Sequence, residues 1–385
     1  MKSKLVNFNL PIVNKLSKDN SIKFIKKLNQ KNGNLVHGPN DQTFKIKHIL
    51  KKKFQINNCH LTNSCTSALE ICAILTKNKS KNEVLMPSYT FVSTGNSFAR
   101  SGFNIRYCDI NPNTLMPDFS HIKSKVSKKT CAIVIIHYQG FCVDYIFELK
   151  KFCNNNGIFL IEDAAQAFGS FFKNKHLGTI GDFGCYSFHH TKNIHSGIGG
   201  LISINNKKFI DKSFHVFDKG TDRNLVTSGR KKKYGWVSLG SSFLMSELHA
   251  SFLLPQIANY KQIINQRKKL YNKYLEKLDE KNFNKKFFLV KKNLKNYNYH
   301  ALVLVLKFNK RSKFLNFLSK NKIFAYVGYS PLHQSKYGKR FLKSDKLHLT
   351  DNISNKIVRL PMHYNMNEKD VDYVSEKIKY FFSKN

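Results

Sequence analysis

The sequence predicts an α/β protein with a large domain on a mostly parallel sheet and a smaller C-terminal α/β domain. Between residues 57 and 204 short apolar runs alternate with helical patterns, the texture of strands joined by crossover helices. A second, shorter β/α texture follows residue 278. At 385 residues the chain is long enough to bury two cores.

In chain order, residues 21–30 read as a helix. The run Leu35-Val36-His37-Gly38-Pro39-Asn40 turns at its Gly-Pro pair, and 42–53 reads as a second helix. A strand at 57–62 leads into Asn63-Ser64-Cys65-Thr66-Ser67-Ala68-Leu69, whose small hydroxyl residues open an apolar-periodic helix. Free N–H groups and hydroxyls at a helix start form a seat for phosphate. Taken alone, an ordinary N-cap is the simpler account of Ser64 or Thr66.

Glu83-Val84-Leu85-Met86 is a strand closed by Pro87, and 88–102 is read as a helix with Tyr89 and Phe91 near its start. An aromatic there serves either to stack on a flat ring or to fill core. Further strands are expected at 104–110, 131–138 and 157–161, with helices at 118–126 and 143–155. Ligands of such sheets bind beyond the carboxyl ends of the strands, which gathers His137, Asp163 and Gln166 at one crevice.

The stretch 159–200 carries the chemistry. One apolar run ends in Glu162-Asp163 with Gln166 just after; a second delivers Ser187, with Lys192 five residues on. A buried acid at one strand end and a lysine after another are what a pyridoxal phosphate (PLP) site requires. The acid holds the pyridinium nitrogen and the lysine takes the aldehyde. An ionised Asp163 in a poorly solvated floor needs a pairing charge. Lys192 works best with its pKa lowered to roughly 7–8.

Beyond Gly199-Gly200-Leu201-Ile202-Ser203-Ile204-Asn205 the chain turns polar and basic to Lys233, then presents Trp236 and a run from Gly240 to Leu248. One long amphipathic helix to 277 is expected to link the domains, placed at 1–255 and 256–385. Strands at 301–308 and 324–327 and helices at 311–321 and 369–382 complete the smaller one.

Lys and Arg number 65 against 24 Asp and Glu, a net charge of +41. The basic residues are dispersed, with short clusters at 51–53 and 230–233 and no zinc-finger or RNP-type motif. A basic surface therefore points to anionic substrates, and no nucleic-acid partner is expected. The eight cysteines form no CxxC pair and read as reduced thiols. His189, His190 and His195 match no common ligand spacing, so no metal is expected. There is no GxGxxG after the first strand and no Walker lysine loop. The apolar runs are too short for a bilayer and the N-terminus has no signal-like segment, so the expectation is a cytoplasmic protein without a membrane partner.

Four stretches, in this order and spacing, resemble the DegT/DnrJ/StrS sugar aminotransferases. They are Ser64-Cys65-Thr66-Ser67-Ala68-Leu69, Met86-Pro87-Ser88-Tyr89-Thr90-Phe91-Val92-Ser93-Thr94, Glu162-Asp163-Ala164-Ala165-Gln166 and Ser187-Phe188-His189-His190-Thr191-Lys192-Asn193. The resemblance spans essentially the whole chain and implies the PLP-dependent transferase fold type I, the aspartate-aminotransferase-like fold. The form of the lysine motif, Trp236 with 240–248, and Arg359-Leu360-Pro361 with Tyr364-Asn365 resemble the dTDP-4-amino-4,6-dideoxygalactose transaminase subgroup.

That resemblance implies amination of dTDP-4-keto-6-deoxyglucose at C4 with glutamate as donor, for surface (lipopolysaccharide) polysaccharide synthesis. It implies Lys192 as the cofactor-bearing, proton-shuttling lysine and Asp163 as partner of the ring nitrogen. Gln166 would contact the ring hydroxyl, Phe91 would stack on the ring, and Thr66, Ser67 and Ser187 would hold the phosphate. It also implies a homodimer, with 231–242 as the arm reaching the partner's site. The chain departs from the family pattern at Ile198, where Glu is usual, and at His190, where the subgroup often has an acid. Other readings are amination at C3, a PLP sugar dehydratase with His in place of the lysine, and a basic nucleic-acid binder.

Overall fold

The computed structural model describes residues 5–7, 15–30, 39–278, 283, 285–291, 296–342 and 346–384; the turn residues expected at 35–38 lie outside these. Helices α1 (Lys15–Gln30) and α2 (Asp41–Phe54) precede β1 (Cys59–Thr62) and α3 (Cys65–Thr76). Then follow β2 (Glu83–Pro87), α4 (Val92–Arg100), β3 (Asn104–Cys108), α5 (Phe119–Lys125), β4 (Thr130–Ile136), α6 (Ile146–Asn155) and β5 (Phe159–Asp163). A hairpin of β6 (Phe171–Phe172) and β7 (Lys175–His176) leads to β8 (Phe183–Ser187) and β9 (Gly200–Ile204).

These strands form a seven-stranded sheet in the order β1-β9-β8-β5-β4-β2-β3. The pairs β2–β3, β2–β4, β4–β5 and β5–β8 are parallel, whereas β9 runs antiparallel to both β8 and β1. Side chains alternate across the sheet, so β4 sends Ile133 and Ile135 to one core and Ala132, Val134 and Ile136 to the other. Both faces are therefore covered, as a parallel sheet requires.

The same alternation parts the neighbours Glu162 and Asp163. Glu162 is wholly buried on one face, where it accepts hydrogen bonds from the Gly178, Ile180 and Gly181 amides and meets His137 Nε2 at 2.8 Å. Asp163 points to the other face. His137, expected in the crevice, is instead committed to this buried pair.

After α7 (Ile210–Phe217) and α8 (Arg223–Thr227), the expected single linking helix is two: α9 (Glu247–Ala258) and α10 (Tyr260–Lys277). Pro255 lies within α9 and lacks an N–H. At Asn259 both the backbone N–H and Nδ2 donate back to the Pro255 carbonyl, which closes the helix there. Helix α9 packs against α1 and α2.

The C-terminal part holds a three-stranded antiparallel sheet of β10 (Phe287–Val290), β11 (Val303–Leu306) and β12 (Ile357–Arg359). Helices α11 (Arg311–Lys320), α12 (His348–Ser354) and α13 (Glu368–Ser383) accompany it. No strand forms over 324–327: Tyr326 makes only an isolated bridge to Arg359, and Ile323 one to Val6. The expected helix at 88–102 begins at Val92, because the Ser88 N–H is donated to the Cys108 carbonyl of β3, the Thr90 N–H to the Ser88 carbonyl, and the Phe91 backbone is extended. No helix among the described residues is long and apolar enough to cross a membrane.

Candidate active site

A cavity of about 540 Å³ opens where the N-terminus of α3, the carboxyl ends of β5 and β8, and residues from the C-terminal part meet. Its wall includes Thr66, Phe91, Asp163, Gln166, Ser187 and Lys192, so six of the seven residues singled out in the sequence converge. Ser67 does not line it. Its hydroxyl turns to Asn63 Oδ1 at 2.5 Å, and its N–H donates to Ser64 Oγ, the α3 cap.

Helix α3 starts at the cavity because Ser64 has extended backbone angles and caps it. The first turn thus offers amides beside the Thr66 hydroxyl, which is 2.8 Å from Ser93 Oγ. Strand β9 passes so close that a Cβ on Gly200 would collide with the Ser64 and Cys65 backbone, so a glycine is needed there. Ser187 ends β8 at the rim and accepts from the His189 amide at 3.3 Å.

Asp163 is 4% exposed. Its Oδ2 accepts from the Thr94 hydroxyl at 2.8 Å and its Oδ1 from the Ala165 amide at 3.1 Å. Burial raises its pKa above the ordinary carboxylate value, against the opposing pull of those two bonds, Lys192 and His137. Among the described residues no cation pairs with it at contact distance, so a protonated ring nitrogen is the charge this carboxylate suits.

Lys192 lies half-buried in the loop after β8. Its pKa is lowered to about 8, chiefly by desolvation, with Arg359 pushing the same way and Cys65 and Asp163 opposing. At pH 7 about one amine in ten is then neutral, against a few in ten thousand for an unperturbed lysine. A buried acid, a lysine with a lowered pKa, hydroxyls at a helix start and an open aromatic face together fit PLP.

Gln166 is clamped on both ends: the Gln139 amide donates to its Oε1 at 2.7 Å, and its Nε2 donates to the Tyr329 hydroxyl at 2.5 Å. Phe91 is 55% exposed and sits 6.0 Å from the Tyr329 ring, centre to centre. Ile198, unexplained in the sequence, lies half-exposed on the cavity wall, while His190 is exposed outside it.

The wall also includes Thr94, His300, Tyr326, Tyr329 and Arg359. Of these, Thr94 and Arg359 fell within the motifs quoted from the sequence and Tyr326 within the strand expected at 324–327, and none was assigned a role there. His300 and Tyr329 arrive on irregular segments, where no periodic pattern marks a residue. Asn298 joins the His300 segment to the site: its Nδ2 donates to the Gln166 carbonyl at 2.7 Å, and its own carbonyl accepts from Asn193 Nδ2 at 2.7 Å. All eight cysteines are free thiols, seven of them buried. Among the described residues no cluster of His, Cys, Asp and Glu could hold a metal ion.

Comparison with known proteins agrees with this geometry. MJ1066, an uncharacterised protein of Methanocaldococcus jannaschii, is 28% identical over 366 residues, covering 90% of this chain and 91% of that one. The GDP-perosamine synthase of Escherichia coli O157:H7 is 25% identical over 323 residues, 83% of this chain and 84% of its own. The fold matches PseC of Helicobacter pylori, an aminotransferase of pseudoaminic acid biosynthesis, with a TM-score of 0.89 at 21% identity over 99% of this chain and 100% of that one. It also matches the PLP form of Spr1654 from Streptococcus pneumoniae with a TM-score of 0.87 at 20% identity, over 99% of each chain. The model of the DegT/DnrJ/EryC1/StrS aminotransferase family matches residues 17–379. The chain belongs to that family, whose PLP-dependent enzymes include sugar aminotransferases.

Proposed function

We propose that the protein transfers the amino group of glutamate to C4 of dTDP-4-keto-6-deoxyglucose, using PLP in the cavity described. The observation that carries the amino-transfer reading is the pairing of Lys192, with its pKa lowered to about 8, with the buried Asp163 in one cavity. Bound there, PLP supplies an aldehyde that accepts amino groups and a protonated ring that takes up the electron pair left at the donor's α-carbon.

Each residue has a defined task in this reading. Asp163 keeps the ring nitrogen protonated, and Thr94 and the Ala165 amide fix the direction of its oxygens. With PLP bound, Lys192 Nζ, neutral often enough at pH 7, would be the base that takes the proton from the donor's α-carbon and the acid that returns it. Its flexible stem lets one amine serve both positions. Thr66, Ser187 and the first amides of α3 would hold the phosphate, and Gln166 would contact the ring hydroxyl. Phe91 would cover one ring face and exclude water. Ser67 supports the phosphate only through the α3 cap.

In the same reading the domains divide near residue 255, the enzyme is a cytoplasmic homodimer, and its product enters lipopolysaccharide synthesis. The dimer is supported by the loop at 231–242, where Trp236 is 82% exposed and Leu239 is 69% exposed. The +41 charge suits a nucleotide-diphosphate substrate. Similarity to GDP-perosamine synthase favours a second reading in which the nucleotide is guanosine diphosphate.

Product analysis tests both. The protein, PLP and glutamate are incubated with either 4-keto-6-deoxy sugar nucleotide, and the aminated sugar is examined by NMR. A C4 amine on the dTDP sugar is expected. Turnover of the GDP sugar alone would select the second reading, and turnover only of the 3-keto-6-deoxy isomer, supplied in a parallel reaction, would overturn C4 transfer.

A further inference from the structure

We propose that the Tyr329 hydroxyl donates its hydrogen to the sugar acceptor, at the hydroxyl on the carbon beside the one aminated. This rests on the aminotransferase reading above. Gln166 decides where that hydrogen can go. The Gln139 amide donates to Gln166 Oε1 at 2.7 Å, so the other end of the side chain is its NH2 group, and Nε2 donates to the Tyr329 oxygen at 2.5 Å. Tyr329 is therefore the acceptor in that bond and keeps its own hydrogen for another partner. Among the described residues no acceptor takes it. Tyr329 lines the cavity beside Lys192, where the hydrogen is open to a ligand.

The donor is held in place from several sides. Gly328, at φ +79°, has no room for a Cβ, which would collide with the Tyr89 hydroxyl. The Tyr329 N–H donates to that same hydroxyl at 3.3 Å. The Tyr329 ring packs 5.8 Å from those of Tyr89 and Tyr138 and 6.0 Å from that of Phe91, centre to centre. Burial, with Tyr138 and Asp163, outweighs Arg359 and the Gln166 bond and pushes the Tyr329 pKa up, so the phenol stays neutral and keeps its hydrogen. A neutral donor suits a neutral oxygen. Beside its reacting carbon glutamate offers a carboxylate, whose charge calls for a cation, whereas the sugar offers a hydroxyl. In PLP the ring hydroxyl sits on the carbon next to the one bearing the aldehyde, so a donor bonded to Gln166 stands on the side of the transferred nitrogen. In a 4-keto-6-deoxy sugar the carbons beside C4 are C3, with a hydroxyl, and C5, with the methyl group and the ring oxygen. Of these oxygens only the C3 hydroxyl can pass a hydrogen on, which strengthens the bond it accepts.

The test uses two sugar nucleotides that cannot be aminated, 6-deoxyglucose and 3,6-dideoxyglucose on the same diphosphate, each in dTDP and GDP form. The first has the C3 hydroxyl and the second lacks it. Their binding to the PLP-loaded enzyme is measured by titration calorimetry. The wild type is expected to bind the first ~2- to 12-fold more tightly. Tyr329→Phe should lose that preference, because the ring stays and only the donor goes. Equal wild-type affinity for the two sugars, no binding of either in any nucleotide form, or an undiminished preference in Tyr329→Phe overturns the proposal alone. A loss of PLP affinity in Tyr329→Phe with the preference retained would give the hydrogen to the cofactor and overturn it as well. A wild-type enzyme that converts no amino donor overturns the aminotransferase reading and the proposal with it.

Discussion

The Thr94 hydroxyl donates a 2.8 Å hydrogen bond to Asp163 Oδ2, linking α4 to the carboxyl end of β5 beneath the cavity. Hydrogen bonds to a charged group contribute about 1.5–3 kcal/mol, and this one also stabilises the ionised form. Thr94→Val keeps the shape and removes the donor. PLP binding, followed by titration at fixed pH, should weaken by roughly 10- to 150-fold. Asp163→Asn should lose more, since the amide cannot balance a protonated ring nitrogen. Unchanged PLP affinity in both variants would remove Asp163 from the site.

Lys192 makes cofactor-free stability depend on pH in a defined direction. Its folded pKa of about 8 lies below the unfolded value near 10.4. The unfolded chain therefore binds more protons between those values, and stability rises with pH across that window. Lys192→Met removes the penalty of placing the ammonium in the cavity. The Tm of cofactor-free Lys192→Met should exceed that of the wild type at pH 7, and the gap should close between about pH 8 and pH 10.4. A constant gap would mean the lysine is not desolvated.

Phe91 separates folding from binding. Its ring is 55% exposed, so Phe91→Ala should change stability by no more than about 0.5 kcal/mol. Loss of an aromatic stacking contact is worth about 0.5–1.5 kcal/mol, so PLP affinity should fall roughly 2- to 12-fold. Thermal melts and PLP titration on the same preparation check this; a large loss of Tm with unchanged affinity would make Phe91 a packing residue.

Much of the site was legible because strands and helix starts announce themselves. The run ending at Asp163 and the run ending at Ser187 are apolar strands with a polar residue at the carboxyl end, where such sheets bind ligands. The hydroxyl cluster at Ser64 to Ser67 marks a helix start, although it could not show that Ser67 faces Asn63 rather than the cavity. His137 was misplaced because adjacent strand residues point to opposite faces, and its partner is Glu162, not Asp163. Tyr329 and His300 stayed hidden. They reach the cavity from irregular segments more than a hundred residues away, positioned by Gln166, Asn193 and Asn298 rather than by periodicity. The break between α9 and α10 went unread: Pro255 lies inside α9, which runs on to Ala258, so its missing N–H does not mark the turn at Asn259.

The most direct test of the site is to find which lysine takes PLP. The protein is loaded with substoichiometric PLP near pH 8, reduced with borohydride to fix the bound cofactor, digested and mapped by mass spectrometry. With 57 lysines in the chain, unspecific labelling would scatter the modification. One modified peptide containing Lys192 is expected, absent in Lys192→Ala. Modification at another lysine, or undiminished labelling of Lys192→Ala, would contradict the assignment.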